Sequence, residues 1–223
     1  AESVLRKMKL NEKTKKRIEH FEIVFQERSL TKLASNELMN LANSFSKLEK
    51  FFQEKHTDTI ISKKIAIVSS STSYFYKQIL KLFLFQDGIT AIFYEADYGS
   101  IFEQIMNEQS ELYSFAPEVL LILPDYRDVK DSPPLFSSYD EIEALVNTNC
   151  LVYQNLWSRI STRLKHCQIF HGLFVIPHFR TMGALDGNYI FSTQNYFRLI
   201  NLELIKNRPT NVIFIDFHYH ASN

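Results

Sequence analysis

The chain has little that would bind a polyanion or a membrane. Its 25 basic and 25 acidic residues balance, so no net charge would collect nucleic acid at its surface. No apolar run approaches the roughly 18 residues that a membrane span requires, and no secretory signal is recognisable. Only two cysteines occur, Cys150 and Cys167, which argues against a disulfide framework. We therefore expect a soluble, cytoplasmic protein that binds neither nucleic acid nor membrane, with both thiols buried.

The first sixty residues differ from the rest of the chain and carry helical patterns. A basic cluster between Arg6 and Arg17 precedes apolar residues at helical spacing. A second helix is better marked, because Ser35 suits an N-cap and apolar residues recur at intervals of three and four from Leu38 to Phe52. Such a stripe needs a surface to cover. We therefore predict an N-terminal helical segment, residues 1–60, packed on a main domain formed by residues 61–223.

From Lys63 onward, strand-like and helix-like patterns alternate along the chain. Apolar residues without polar alternation are typical of strands that are buried on both faces of a parallel sheet. Right-handed crossovers then favour the strand order 2-1-3-4-5. We predict an α/β fold, a three-layer α/β/α sandwich around a five-stranded, mostly parallel sheet, with the N-terminal helices added to it. The five predicted strands are Ile65–Val68, Ile89–Tyr94, Val119–Leu123, Ile169–Ile176 and Val212–Ile215.

Polar side chains follow three of these strands at the points where the strands end. A run of hydroxyl residues, Ser69–Ser73, follows the first strand, Asp97–Gly99 follows the second and Asp125–Asp128 follows the third. Open α/β sheets bind ligands at the carboxyl ends of their strands, where the strand order reverses, so we expect these loops to line one crevice. The predicted binding residues are Ser69, Ser71, Thr72, Asp97, Gly99, Asp125, Arg127 and Arg180.

The roles of Ser70 and of the two arginines stay open on the sequence. Ser70 suits a helix cap and turn, a nucleophile or a hydroxyl that binds a ligand beside free backbone N–H groups. Arg127 and Arg180 could hold a phosphate or a carboxylate, because a guanidinium fork matches such groups. Salt bridges to Asp125 and Asp128 explain the arginines equally well.

Several stretches of the chain form an ordered set: Ile65–Thr72, Ala91–Gly99, Ser110–Val119, Pro177 with Arg180, Met182-Gly183, Asn201 and Val212–Asp216. In order and spacing this set resembles the N-terminal region of FkbH-like proteins, over roughly Leu38 to Asn223. The resemblance implies an SGNH-hydrolase-like, flavodoxin-like α/β fold. In that family the region precedes a haloacid-dehalogenase-type domain, and the proteins load a glyceryl unit, derived from a phosphorylated glycerate, onto an acyl carrier protein. The DxDxT phosphatase motif of that second domain is absent from these residues, so we expect no phosphotransfer and no cofactor here.

The resemblance also implies the position of an SGNH-type site. Ser70 takes the place of the nucleophile, and Gly99 could serve as the glycine oxyanion donor. The loop after the third strand lacks the asparagine donor, and a carboxylate in its place would repel a developing oxyanion. The usual Asp-x-x-His is missing as well, because Asp216 is followed by His218 and His220 at other offsets.

Two function hypotheses follow. In the first, the domain is an accessory module that binds an acyl carrier protein, its acyl or glyceryl thioester, or a neighbouring phosphatase-like domain. In the second, it is a weak serine esterase or thioesterase in which Ser70 acts with His178 or His218 as the base. The missing asparagine and the misplaced histidine favour the first. Asp216, His218 and His220 share one side of an extended chain, but without a distant fourth ligand they predict no metal site.

Overall fold

The computed structural model describes residues 12–27, 30–55 and 61–217. Helices and strands alternate from the first strand onward, as the sequence predicts. Three short 3₁₀ turns, Leu30–Lys32, Tyr126–Asp128 and Gly183–Asn188, lie between them. In chain order the elements are α1 (Glu12–Gln26), α2 (Ser35–Lys55), β1 (Ile61–Ser69), α3 (Tyr74–Gln86), β2 (Ile89–Glu95), α4 (Ile101–Met106), α5 (Glu111–Phe115), β3 (Val119–Leu123), α6 (Tyr139–Arg163), β4 (Gln168–Gly172), α7 (Thr193–Lys206) and β5 (Val212–Ile215).

The five strands form one parallel sheet in the order β2-β1-β3-β4-β5, with helices flanking it. The predicted α/β class, strand direction and strand order are therefore confirmed. The register places Ser69 opposite Leu123 at the carboxyl ends of β1 and β3. It also places His171 of β4 opposite Ile122 of β3 and Phe214 of β5. The loops that follow β1 and β3 thus leave the sheet side by side.

Helix α6 contributes the largest side chains to the core around β1, β3, β4 and β5. A reciprocal capping box between Ser138 and Glu141 begins this helix, which satisfies N–H groups that the first turn leaves free. Tyr153, Trp157 and Ile160 follow at intervals of three and four and are each at most 1% exposed. These positions share one face of a helix, so α6 covers the sheet along its length. This core belongs to a compact unit of Lys64–Thr72 and the described residues from Phe93 onward.

A second compact unit consists of the described residues up to Lys63 together with Ser73–Ile92. Its core is aromatic, with Phe45 of α2 lying 5.4 Å from Phe21 of α1 and 4.9 Å from Phe85 of α3 between ring centroids. The apolar stripe predicted for α2 is therefore buried between α1 and α3. The predicted domain limits, 1–60 and 61–223, stay a prediction.

Strand β4 and helix α6 both end earlier than their patterns predict. The apolar pattern runs to Ile176, but β4 ends at Gly172. Beyond it, the backbone of Phe174 bonds to a side chain instead of to a neighbouring strand. The backbone N–H of Phe174 donates to Asn201 Oδ1 at 3.0 Å, and its carbonyl accepts from Asn201 Nδ2 at 2.9 Å. Helix α6 ends at Arg163 rather than near residue 166.

The two cysteines are buried and free, as predicted. Burial raises the pKa of Cys150 and of Cys167 to about 12, so both thiols stay protonated at neutral pH. Within the described ranges, no helix combines the length and the apolar content that crossing a membrane would take.

Candidate functional site

The hydroxyl run after β1 folds into a turn that is tied to the end of β3. Ser69 is only 6% exposed, and its hydroxyl donates to the carbonyl of Leu123 at 3.3 Å. The same hydroxyl accepts the backbone N–H of Ser71 at 3.3 Å, which tightens the turn. Ser71 and Thr72 are exposed beyond it. The structure thus divides the predicted binding hydroxyls into one structural residue and two that face solvent.

Ser70 forms the shortest side-chain contact of this turn. Its Oγ donates to Asp128 Oδ2 at 2.5 Å, and its backbone N–H donates to the carbonyl of Leu123 at 3.1 Å. Ser73, rather than Ser70, occupies the N-cap position of α3. The interpretation of Ser70 as a helix cap is therefore wrong. The proton of the Ser70 hydroxyl is therefore engaged by a carboxylate at the carboxyl edge of the sheet.

Asp128 joins the loops that follow β1 and β3. Besides the Ser70 hydroxyl, its Oδ2 accepts the backbone N–H of Asp125 at 2.6 Å. Asp125 in turn accepts the backbone N–H of Arg127 at 3.0 Å, which completes a reciprocal capping box around the 3₁₀ turn. Asp128 was within the predicted crevice, but it was not among the predicted binding residues. Its spacing of three residues after Asp125 is typical of a capping box and was the available signal.

Arg127 is paired with Asp125 in a two-point ion pair. Its Nε lies 2.8 Å from Asp125 Oδ1 and its Nη2 lies 3.1 Å from Oδ2, with Ser71 Oγ 3.4 Å from the same Nη2. Partial burial acts to raise the pKa of the Asp125 carboxyl, but the hydrogen bonds from Arg127 outweigh it and lower that pKa. The Arg127 side chain is 64% exposed, and its guanidinium carbon lies 5.8 Å from the centroid of the Tyr126 ring. The salt-bridge interpretation of Arg127 therefore describes its contacts, while most of the side chain remains exposed.

Gly99 and Asp97 lie in the loop after β2. The Gly99 backbone N–H donates to the carbonyl of Ser69 at 2.8 Å, so this predicted oxyanion donor is already bonded within the protein. Gly99 has φ +78°, in the left-handed region that favours glycine. The carbonyl of Asp97 accepts the N–H of Ser100 at 3.3 Å, and the Asp97 side chain is exposed. The hydrogen bond to Ser69 brings this loop to the β1 turn.

Of the two candidate bases, only His178 lies among the described residues. His178 is exposed in the loop after β4 and has an aromatic contact with Phe179, at 6.5 Å between ring centroids. Among the described residues, no hydrogen bond links His178 to Ser70. His218 lies outside the described residues, as does His220, so the arrangement with Asp216 lies there as well. Within the described ranges, no group of three metal-binding side chains occurs.

The loop after β4 carries an exposed cation and an exposed ring. Arg180 makes no ion pair or hydrogen bond with any described residue. Phe179 is 48% exposed, and its ring contacts Tyr126 edge-on at 5.8 Å. Because Tyr126 also lies beneath Arg127, the two rings connect the loop after β4 with the loop after β3. The edge therefore combines cations with an apolar rim.

Two buried polar residues, His171 and Asp186, were not predicted from the sequence. His171 is fully buried, and burial lowers its pKa to about 3. Asp186 is 1% exposed, and its Oδ1 accepts the backbone N–H of Met182 at 2.5 Å, which closes the 3₁₀ turn before α7. A histidine inside an apolar strand run was the available signal for the first. The second lay in a stretch that sequence patterns assign to a loop.

No known protein family matches this chain, and no curated protein does. Its structure, however, is similar to the N-terminal part of the protein BF1531 from Bacteroides fragilis, with a TM-score of 0.60 over 80% of this chain. The two folds are related. The identity is 15%, so the likeness shows the fold alone, and this chain spans 46% of the length of that one. The BF1531 structure contains a phosphatase domain complexed with Mg.

The described site is better arranged to hold a polar group than to activate a serine. A serine nucleophile needs a base in hydrogen-bond reach and free donors for the oxyanion. Here the Gly99 amide is already bonded to Ser69, and the group that accepts the Ser70 proton is the carboxylate of Asp128 rather than an imidazole. The exposed groups are the hydroxyls of Ser71 and Thr72 and the guanidinium of Arg127. These groups can donate hydrogen bonds to a phosphate or carboxylate.

Proposed function

We propose that this chain is the N-terminal domain of an FkbH-type protein and that its α/β unit is an accessory binding module. The ordered sequence set described above and the relation to the fold of the N-terminal part of BF1531 support this proposal. The partner is an acyl carrier protein bearing an acyl or glyceryl thioester. A neighbouring phosphatase-like domain is the partner to which the module would deliver it.

The observation that carries this proposal is the internal use of the Gly99 amide, the oxyanion donor that a hydrolase would need free. The Ser70 hydroxyl donates to Asp128 at 2.5 Å, and the Gly99 N–H donates to Ser69 at 2.8 Å. The Gly99 bond would have to break before that amide could stabilise an oxyanion, and no described imidazole is hydrogen-bonded to Ser70 as a base. Recognition does not require the Gly99 bond to break, because Thr72 and Arg180 are exposed and make no side-chain hydrogen bond with any described residue.

The exposed cations at the carboxyl edge suit the arm of a carrier protein. That arm is a phosphopantetheine group, which has a phosphate where it is attached to the carrier protein and the thioester at its far end. Arg127 and Arg180 both expose guanidinium groups at this edge, and guanidinium groups match phosphate oxygens. The rings of Tyr126 and Phe179 would cover the less polar part of the arm.

A titration with a glyceryl-loaded carrier protein tests this proposal. We expect saturable binding to the full chain, weakened roughly tenfold by Arg127→Gln, which is the size expected of one charge-assisted hydrogen bond. Lys165→Gln is the matched control, because Lys165 is also exposed but precedes β4 at the opposite edge of the sheet. An absence of binding, or an equal loss in both variants, would contradict the proposal.

One observation favours the alternative of a weak serine esterase or thioesterase. The Ser70–Asp128 hydrogen bond is short, and a carboxylate can accept the proton of an attacking serine. Under this alternative the chain hydrolyses p-nitrophenyl acetate, and both Ser70→Ala and Asp128→Asn abolish the reaction. Hydrolysis no faster than in buffer removes the alternative.

A further inference from the structure

An open pocket of about 510 Å³ lies at the amino-terminal edge of the sheet, the edge opposite to Ser70. Its walls come from the last turns of α6 and from the segment between α7 and β5, including Trp157, Arg208 and Asn211. Because α6 and α7 run back to the start of the next strand, this segment lies where β4 and β5 begin. The volume is in the range of small-molecule sites, which is about 300–1,000 Å³.

Arg208 is the only charged residue in the walls of this pocket. Its side chain is exposed and, within the described part of the chain, has neither an ion pair nor a hydrogen bond. A guanidinium has five N–H donors and no acceptor, so a ligand that pairs with it must supply acceptor oxygens. The pocket walls contain no carboxylate that would compete for these donors or repel an anion.

The rest of the polar wall consists of hydroxyl and carboxamide groups. The Thr162 hydroxyl donates to a backbone carbonyl of α6 at 2.8 Å, and Asn211 Nδ2 donates to Ser161 Oγ at 2.9 Å. These bonds fix the side chains and leave oxygen lone pairs on Thr162 and Asn211 as acceptors. The side chains of Gln154 and Ser158 make no hydrogen bond to any described residue. The wall can therefore donate to and accept from the hydroxyl groups of a ligand.

We infer that this pocket is a second binding site, which takes a small hydroxylated organic anion and holds its carboxylate or phosphate group through Arg208. The site does not depend on the proposed carrier-protein function, because none of its residues lies at the carboxyl edge. The charge of Arg208 selects for the anion, and the hydroxyl and amide groups can hydrogen-bond the hydroxyl groups of the ligand.

The single tryptophan of the chain lies in the pocket wall and reports on binding. The probes are inorganic phosphate and acetate, each titrated into the full chain at constant ionic strength, and the readout is the indole N–H resonance of Trp157. We expect a saturable shift with at least one of the two ions. A shift with phosphate alone identifies a phosphate ligand, and a shift with acetate alone identifies a carboxylate.

Two variants distinguish specific binding in this pocket from non-specific attraction of anions to surface cations. Arg208→Gln should weaken the saturable response at least tenfold, whereas Lys165→Gln, which removes an exposed cation outside the pocket walls, should leave it unchanged. A response that does not saturate with either ion overturns the inference. A response of equal affinity in wild type and Arg208→Gln overturns it as well.

Discussion

His171 makes a specific prediction about how the stability of the protein depends on pH. The imidazole is fully buried in β4 and is surrounded by the rings of Tyr153, Trp157 and Phe214, at 5.2–5.5 Å between ring centroids. Neither ring nitrogen has a hydrogen-bond partner among the described residues. Burial lowers the pKa from 6.5 to about 3, because no neighbouring group compensates a charged imidazole there.

The sign follows from the protons that each state binds. Below pH 6.5 the unfolded chain protonates this histidine while the folded protein does not, so stability falls as the pH falls. Each pH unit in that window costs about 1.4 kcal/mol. Between pH 7.5 and pH 5 the folded protein should therefore lose about 2 kcal/mol through His171 alone. The loss continues until the pH approaches the folded pKa of about 3.

Urea denaturation at pH 7.5 and at pH 5 measures this loss. His171→Leu removes the titrating group, so its stability should change by about 2 kcal/mol less than that of wild type over the same interval. His166→Gln is the matched control, since it removes an exposed histidine of the same region and should behave as wild type does. Equal pH dependence in wild type and His171→Leu would refute this reasoning. A His171 imidazole resonance that titrates above about pH 5.5 in the folded protein would refute it even where the variant does not fold.

Three further predictions concern the frame of the α/β unit. Asn201→Ala should destabilise the fold by about 1–3 kcal/mol in urea denaturation, because it strips both backbone partners from Phe174; an effect below about 0.5 kcal/mol would contradict this. Leu112→Ala, at a fully buried position, should cost about 2–5 kcal/mol, and a neutral result would refute the packing described. Cys150 and Cys167 should react with a disulfide reagent at pH 8 only after unfolding, because burial raises both thiol pKa values; rapid labelling of the native chain would exclude that burial.

The strand order could be predicted from the sequence because it depends on local patterns. Continuous apolar runs predict strands buried on both faces, and the handedness of crossovers then fixes a small number of orders. The end of β4 could not be predicted in this way. The pattern Ile169–Ile176 remains apolar to its last residue, but Asn201, 27 residues after Phe174, takes the backbone groups that would have continued the ladder.

The sequence predicted which loops meet at the candidate site, but not the hydrogen bonds between them. The carboxyl ends of β1 and β3 were expected to share an edge, and the register of Ser69 with Leu123 places them there. The Ser70–Asp128 bond joins residues 58 positions apart, and no spacing rule links a serine to one of two nearby aspartates over that distance. Which aspartate binds the serine depends on the 3₁₀ turn, in which Asp125 is paired with Arg127 and Asp128 is left facing β1.

We propose that the carboxyl edge binds an acylated partner without cleaving it. Native mass spectrometry of the chain mixed with a glyceryl-loaded acyl carrier protein tests binding and cleavage in one measurement. We predict a complex whose carrier protein still bears the glyceryl group after prolonged incubation, and less of that complex with Arg127→Gln. Carrier protein that has lost its glyceryl group with wild type, but keeps it with Ser70→Ala, would contradict the claim.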